Sequence, residues 1–375
     1  MMQKRKNFDV LIIGGGPAGS AAALTLLNQT SLDVGVIEST NYANMRVGES
    51  VSPSILSLMR YLKIEDDFLA DDHLESYGID AAWGNSKINA RDFFFTGYGN
   101  GWNLDRRKFD NMMAKAITKR NGHLFSSTIL TDQKKEKNGW RLKGIEKKHN
   151  EIALSAKFVI DASGKCAHFA RKLGTRWDVL DYLVGIACIY NLESREPNNS
   201  TALIESIQNG WWYSTCLPQN RRIVVFMTDS DIAKKLEIKK YSIWKEWLAK
   251  TVHINDTINR AKKVEGPKVF SAYSQVIKKR DFSDWLPAGD AVAAFDPLSS
   301  MGIGHAIMSG IEASRIANKT IKLGATPSTN YLEKIMVNFH KYVINRRRSY
   351  LYEKRWPDSI FWKRRQNVSA DTTPV

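Results

Sequence analysis

The chain has little cysteine and little proline for its 375 residues, and it lacks any long apolar run. Its three cysteines, Cys166, Cys188 and Cys216, are spaced for neither a disulfide framework nor a zinc site. We therefore expect free thiols in a reducing compartment, the cytoplasm. No apolar stretch approaches the roughly 20 residues that a membrane-spanning helix needs. The basic start at 1–6 runs into a glycine-broken strand without a cleavage site, so no signal peptide is expected.

Acidic residues are also scarce, because 39 Asp and Glu face 55 Lys and Arg and leave a formal net charge of +16. No nucleic-acid-binding motif accompanies this charge, so nucleic acid is not an expected partner. Basic residues, all arginine except Lys363, cluster at 346–348 and 363–365, beside Trp356, Phe361 and Trp362. Arginine and aromatic side chains often anchor protein interfaces. We predict that these C-terminal helices dock an acidic protein; a purely structural brace is the alternative.

A glycine-rich turn near the N-terminus has the spacing G-x-G-x-x-G at Gly14, Gly16 and Gly19. An apolar strand at 8–13 precedes it, and an Ala/Leu-rich helix at 17–29 follows it. The first glycine permits a tight turn, the second lets the backbone approach a pyrophosphate, and the third lets the helix pack on the strand. The sequence therefore predicts a dinucleotide site.

The start of that helix and the end of the next strand complete the pattern. Pro17 and Ala18 open the helix, whose N–H groups and positive dipole end suit phosphates. Glu38 follows the second strand, nineteen residues past Gly19, where a carboxylate can bind ribose hydroxyls.

A second motif lies near the other end of the chain. Gly289-Asp290 follows a short apolar strand, and the loop that includes Pro297 leads into a helix from Gly302 and Ile303. Joined to the first motif, this segment resembles the FAD-binding monooxygenases of the para-hydroxybenzoate hydroxylase type and the related flavin-dependent halogenases. The resemblance implies that Asp290 binds the ribityl chain of FAD and that residues 297–303 line its ring.

Further segments carry the same resemblance over most of the chain. It implies additional cofactor contacts from Arg46, Ser50, Arg106 and Asp161. There is no second G-x-G-x-x-G, so NAD(P)H is expected to bind only transiently as the reductant.

The predicted fold is α/β (α+β overall), with a Rossmann-like FAD-binding domain interleaved with a mostly antiparallel substrate domain. The predicted FAD-binding domain comprises 1–75, 100–175 and 275–323, the substrate domain comprises 76–99 and 176–274, and the C-terminal helical segment spans 324–375. Within the substrate domain, helices are expected at 241–250 and 253–262.

Three kinds of flavoprotein share this predicted scaffold. Halogenases need an active-site lysine, but Ser76 occupies the matching position here, and the Trp-rich block at 211–218 has altered spacing. Isoprenoid reductases need a large lipid tunnel, for which an aromatic, basic chain gives no evidence. Halogenation and isoprenoid reduction are therefore not expected.

The segments at 210–218, 226–231 and 295–300 look like those of flavoproteins that mature tryptophylquinone enzymes. This resemblance implies hydroxylation of a tryptophan in a precursor quinoprotein oxidase. Two alternatives stay open: a small-molecule aromatic hydroxylase, and a flavin-binding maturation scaffold with little turnover.

The sequence contains few indications of which side chains are catalytic. Asp296 and His73 are candidate bases, although Asp296 could equally cap a helix and His73 could be a surface residue. Trp211, Trp212 and Tyr213 are expected at the substrate cavity, but strand alternation requires at least one of them to face elsewhere.

Overall fold

The computed structural model describes residues 6–93, 99–146, 150–193, 200–278, 281–324 and 329–366. The helices are α1 (Pro17–Gln29), α2 (Ile55–Tyr61), α3 (Glu65–Leu69), α4 (Arg106–Lys119), α5 (His168–Lys172), α6 (Ser230–Lys235), α7 (Tyr241–Leu248), α8 (Gly302–Leu323), α9 (Thr329–Tyr352) and α10 (Ile360–Gln366). The strands are β1 (Lys6–Ile13), β2 (Val34–Ile37), β3 (Ser50–Val51), β4 (Leu74–Ser76), β5 (Gly78–Ala82), β6 (Asn89–Asp92), β7 (Gly101–Asn103), β8 (His123–Phe125), β9 (Thr128–Glu136), β10 (Gly139–Glu146), β11 (Glu151–Asp161), β12 (Trp177–Val179), β13 (Leu183–Asn191), β14 (Ala202–Ile207), β15 (Gly210–Leu217), β16 (Arg221–Asp229), β17 (Lys262–Ser271), β18 (Gln275–Ile277), β19 (Trp285–Pro287) and β20 (Ala293–Ala294). Within these ranges, a helix with the length and apolarity to cross a membrane was not found.

A mostly parallel sheet forms the centre of the half of the molecule that contains the glycine-rich turn. Strands β8, β2, β1 and β11 lie side by side in parallel, and β19 pairs in parallel with the end of β11. Strands β10 and β9 extend the sheet antiparallel. Residues 10–13 of β1 are almost fully buried, as expected for a parallel strand covered on both faces. The Rossmann-like α/β fold predicted from sequence is confirmed.

Small residues allow α1 to pack closely on α8. A Cβ atom at Gly310 would lie 2.1 Å from the carbonyl oxygen of Ala18. A Cβ at Gly289 would lie 2.8 Å from the Cβ of Ala18. This contact brings the N-termini of α1 and α8 to the same side of the sheet.

A second, mostly antiparallel sheet covers the first domain, with the strand order β17-β13-β16-β15-β14-β5-β6. All of its pairs are antiparallel except β14 with β5. Its two faces belong to different apolar clusters, one around Trp211 and the other around Trp212 and Trp244.

The prediction of a helix at 253–262 is wrong. The structure has only a 3-10 turn at Asn255–Ile258, and β17 begins at Lys262. The buried carboxylate of Glu205 accepts hydrogen bonds from the backbone N–H groups of Val252, His253 and Ile254 at 2.6, 2.9 and 3.0 Å. This distant carboxylate holds the segment in a loop, which local sequence does not reveal.

Helices α9 and α10 tie the C-terminus to the rest of the chain through ion pairs. Arg346 lies 2.8 Å from Asp181 and 3.0 Å from Asp296. Arg365 lies 2.6 Å from Asp229, and both side chains are 2% exposed. Arg346 and Arg365 are therefore bound within the chain, whereas Arg347 and Arg348 are exposed, so the docking of an acidic protein stays a prediction.

Three further C-terminal residues are also engaged within the chain. Arg364 pairs with Asp229 and Asp231 at 2.9 and 2.8 Å, and Phe361 and Trp362 are fully buried. The structure therefore favours the alternative role, in which α9 and α10 brace the molecule.

We expect the change Arg365→Ala to destabilise the protein by about 3 kcal/mol, because breaking a buried ion pair leaves Asp229 only partly compensated. Urea denaturation at neutral pH measures this loss. The matched control is Lys363→Ala on the same helix, whose side chain is 49% exposed and whose removal should cost less than about 0.5 kcal/mol. Equal midpoints for the two variants would contradict the bracing role.

Candidate functional site

A cavity of about 860 Å³ lies between the two sheets. It is near the upper end of the roughly 300–1,000 Å³ range of small-molecule sites. Its floor comes from the glycine turn, the segment 37–50 and the residues around 162–166, and its roof comes from β13 to β16. The loop before α8 closes one side.

The three glycines of the N-terminal motif have different structural roles. Gly14 has φ +102°, and a Cβ there would lie 2.3 Å from the carbonyl oxygen of Ala162. A Cβ on Gly19 would lie 1.8 Å from the carbonyl oxygen of Gly14, and Gly19 does not line the cavity. Gly16 does line it, and its Cβ would meet only Nη1 of Arg46, at 3.8 Å. Gly14 and Gly19 thus serve the fold, whereas Gly16 leaves space for a ligand.

The N-termini of α1 and α8 both reach this cavity. Pro17 and Ala18 line it from α1, and Gly302 and Ile303 line it from α8. Neither helix start has a side-chain cap. Free N–H groups and two positive dipole ends therefore face one space, which favours an anionic ligand.

Glu38 lies on the cavity wall at the end of β2 and is 5% exposed. Its Oε2 accepts a hydrogen bond from the N–H of Gly15 at 2.8 Å, and its Oε1 accepts one from the N–H of Thr40 at 2.9 Å. The carboxylate is thereby fixed beside the glycine turn.

Two arginines on the wall share one buried carboxylate. Arg46 and Arg106 lie 2.7 and 3.2 Å from Asp110, whose side chain is fully buried. Arg106 also donates to the backbone carbonyl of Val47. Asp110 therefore orients both guanidinium groups at the cavity. Ser50, another predicted contact, lines the same wall.

The C-terminal motif contributes the opposite part of the wall. Asp290 lines the cavity, with its Oδ2 3.4 Å from Nζ of Lys165, and Pro297 lines it as well. Gly289 does not line the cavity; it packs on α1 through its contact with Ala18.

His73 does not lie on the wall, contrary to its predicted role as a base. The ring is buried against Phe68 and Phe109, and its Nδ1 accepts a hydrogen bond from the N–H of Asp105 at 3.3 Å. Burial lowers the pKa of His73 to about 4. It is a neutral core histidine.

Asp296 and Asp161 also lie off the wall. The Oδ1 of Asp296 accepts from the N–H of Leu298 at 3.0 Å, and its Oδ2 accepts from Arg346 and from the hydroxyl of Tyr350 at 3.0 and 2.8 Å. Asp161 accepts from the N–H groups of Ser163 and Ala170. Both carboxylates hold backbone turns in place, and Asp296 caps the 3-10 turn Pro297–Ser299 rather than the helix α8 that it was expected to cap.

Strand alternation separates the three aromatic residues of β15. Trp211 and Tyr213 line the cavity. Trp212 faces the other side of the sheet, where it stacks on Phe226 with ring centroids 4.8 Å apart and meets Trp244 edge-on. Trp212 is therefore a core residue rather than part of the cavity.

Glu49 is a wall residue that sequence reasoning missed. It is 3% exposed, its Oε1 has no hydrogen-bond partner among the described atoms, and burial raises its pKa to about 7. The signal was available, since Glu49 lies between Arg46 and Ser50 in a segment already assigned to the site.

The arrangement can bind an anionic dinucleotide and place a planar ring beneath an aromatic roof. The arginines, Glu38 and the helix starts form the polar end, while Trp211, Tyr213, Phe270 and Phe295 supply apolar surface. Buried apolar surface with a few fixed polar groups is typical of cofactor sites.

Comparisons with known proteins agree with this geometry. A family model described as tryptophan halogenase matches residues 9–93. The chain is 30% identical over 371 residues to LodB of Marinomonas mediterranea, which is described as an FAD-dependent oxidoreductase. The aligned residues make up 97% of this chain and 98% of the relative. Other curated relatives at 22–25% identity include flavin-dependent halogenases.

Solved structures show the same fold. The flavin-dependent halogenase CmlS superposes with a TM-score of 0.86 at 22% identity, over 98% of this chain and 69% of that one. The peptidyl tryptophan dihydroxylase QhpG superposes with a TM-score of 0.77 at 19% identity, over 96% of this chain and 79% of that one. The chain belongs to the family of FAD-dependent oxidoreductases that includes LodB, and these proteins are enzymes.

Proposed function

We propose that the protein is an FAD-dependent monooxygenase that hydroxylates the indole of a tryptophan in a precursor protein, during biogenesis of a tryptophylquinone cofactor. The observation that carries this proposal is the cavity, where two uncapped helix starts meet an aromatic roof. The fold shared with a peptidyl tryptophan dihydroxylase supports the choice of substrate.

The residues present fit FAD. Gly16 and the start of α1 would hold the pyrophosphate, with Arg46 and Arg106 supplying positive charge. Glu38 would bind ribose hydroxyls, and Asp290 would bind the ribityl chain. The start of α8 would face the flavin ring, where its dipole stabilises negative charge.

Bound FAD, reduced by transiently bound NAD(P)H, would supply the chemistry that uses O2 to oxidise an aromatic ring. The chain itself would orient the substrate ring between Trp211, Tyr213 and Phe270 and keep bulk water out. The described cysteines are free thiols, which supports our proposal of a cytoplasmic reaction. The partner would be a precursor quinoprotein oxidase.

Halogenation is the second candidate, because flavin-dependent halogenases are among the relatives. Ser76, at the position matched to the halogenase lysine, is fully buried and does not line the cavity. Lys165 is the one lysine among the described wall residues, and it pairs with Asp290 on the side assigned to the cofactor. We therefore rank hydroxylation first.

We expect Gly16→Leu to abolish FAD retention, since a side chain would fill the space beside Arg46 that the pyrophosphate needs. Flavin absorbance after gel filtration and titration of the apoprotein with FAD measure this effect. Circular dichroism should show an unchanged fold, because a Cβ at Gly16 meets no atom closer than 3.8 Å.

The matched control for that experiment is Gly304→Ala in α8. A Cβ there meets no atom within 4 Å, and Gly304 does not line the cavity. This variant should bind FAD as the wild type does. Wild-type flavin affinity in Gly16→Leu would refute the assignment of the pyrophosphate site.

We expect no halogenated product when the holoenzyme, reduced flavin, O2 and bromide are incubated with free indoles or tryptophan peptides. The physical reason is the absence, among the described wall residues, of a lysine free of a carboxylate partner. Mass spectrometry of the products measures the outcome. Bromine incorporation that is lost in Lys165→Met would instead establish the second candidate.

The substrate class is tested with NAD(P)H, O2 and tryptophan presented in two forms. We expect a tryptophan peptide with acidic flanks to gain one or two oxygen atoms, with kcat/KM about tenfold or more above that of free tryptophan, because binding energy from the rest of the peptide contributes. Efficient turnover of small phenols would indicate a small-molecule hydroxylase. FAD binding without turnover of any aromatic would indicate a maturation scaffold.

A further inference from the structure

A small pocket of about 20 Å³ lies behind the main cavity, between α4 and the strands β13 and β16. This volume is enough for one water molecule. Its outer wall includes Arg107, whose side chain is 35% exposed. The main cavity and the small pocket share part of their walls, namely Met45, Arg46, Glu49 and Arg106.

Glu49 is the carboxylate that lines both spaces among the described residues. Its Oε1 is buried and has no hydrogen-bond partner among the described atoms, and neither has the hydroxyl of Tyr213. Leaving such groups unpaired costs about 1–3 kcal/mol each. A buried carboxylate with one unpartnered oxygen on a cavity wall points to a group that bonds to something entering the cavity.

The groups around Glu49 determine its protonation. Those lining either space beside it are Arg46, Arg106, Arg107, Arg221, Asp105 and Tyr213. The arginines are otherwise engaged: Arg46 and Arg106 with Asp110, Arg107 with Glu265, and Arg221 with Asp105. Burial raises the pKa of Glu49 to about 7, although Arg106 opposes the shift. Glu49 can therefore gain and lose a proton near neutral pH.

We propose that Glu49 takes up the proton that the aromatic substrate loses on hydroxylation and passes it to solvent through the small pocket. The inference rests on the proposed function, in which O2 supplies the oxygen atom and NAD(P)H the electrons. As the new C–O bond forms, the O–O bond breaks and the second oxygen atom leaves as water, with the electrons of NAD(P)H and a proton from solvent. The C–H bond at that carbon then breaks, and its electron pair restores the aromatic ring. The released proton goes to a carboxylate oxygen of Glu49 and then to water.

The test compares Glu49→Gln, which keeps the size of the side chain but cannot carry the proton, with the wild type. The control is Glu237→Gln at a surface side chain that is 59% exposed. Infrared difference spectra of the FAD-loaded proteins between pH 5 and 9 should show a carboxyl group titrating near pH 7 in the wild type and the control. That band should be absent from Glu49→Gln.

Steady-state kinetics with the tryptophan peptide provide the second measurement. The carboxylate form is the base, so wild-type kcat should rise with pH through about 7. Glu49→Gln should lose this limb and lower kcat on the order of 10²–10⁴-fold, with KM and FAD affinity unchanged. Glu49→Asp should recover part of the rate.

The outcomes separate the two proposals. If the wild type hydroxylates the peptide and Glu49→Gln matches it at every pH, the proton-transfer inference is overturned while the proposed function stands. A variant that changes only KM or FAD affinity also overturns it, since that is the result of a purely structural role. If the wild type hydroxylates no aromatic, the proposed function fails and this inference fails with it.

Discussion

The close contact between α1 and α8 is the constraint on which the site depends. The carbonyl oxygen of Ala18 lies where a Cβ on Gly310 would be, so the two helices approach only because that position is glycine. This distance sets the N-termini of both helices at one cavity, although the first comes from the start of the chain and the second from its last third. In the proposed FAD site, the phosphate end and the ring end would thereby be aligned before the ligand binds. Preorganised dipoles of this kind need no rearrangement on binding.

Buried carboxylates are the second organising element of a chain with a large positive charge. Asp110 holds Arg46 and Arg106 at the cavity, Asp296 holds Arg346, and Asp229 holds Arg365. Each of these three carboxylates therefore pairs with one or more of the abundant arginines. The arginines that look most available in the sequence are among those most fully occupied in the structure.

Local patterns predicted the fold well, because glycine turns, apolar strands and helix starts depend on nearby residues. The motif at 14–19 and the segment at 289–303 both supply residues to the wall of one cavity. The failures depend on distant partners. His73 packs against Phe109 and Asp296 pairs with Arg346, so neither side chain reaches the cavity. Glu205 accepts backbone hydrogen bonds that hold a loop where a helix was expected. The position of Glu49 between Arg46 and Ser50 was readable in the sequence, but its burial, which raises its pKa, was not.

The contact of Arg346 and Tyr350 with Asp296 has a consequence for how the protein is made. Asp296 lies in the loop that closes the cavity, yet the two side chains that hold its carboxylate lie 50 and 54 residues further along the chain. The glycine turn is synthesised first and its covering loop is secured only when α9 has emerged. A chain shortened before α9 would lack both partners of this carboxylate, and the loop that closes the cavity would be left unsecured.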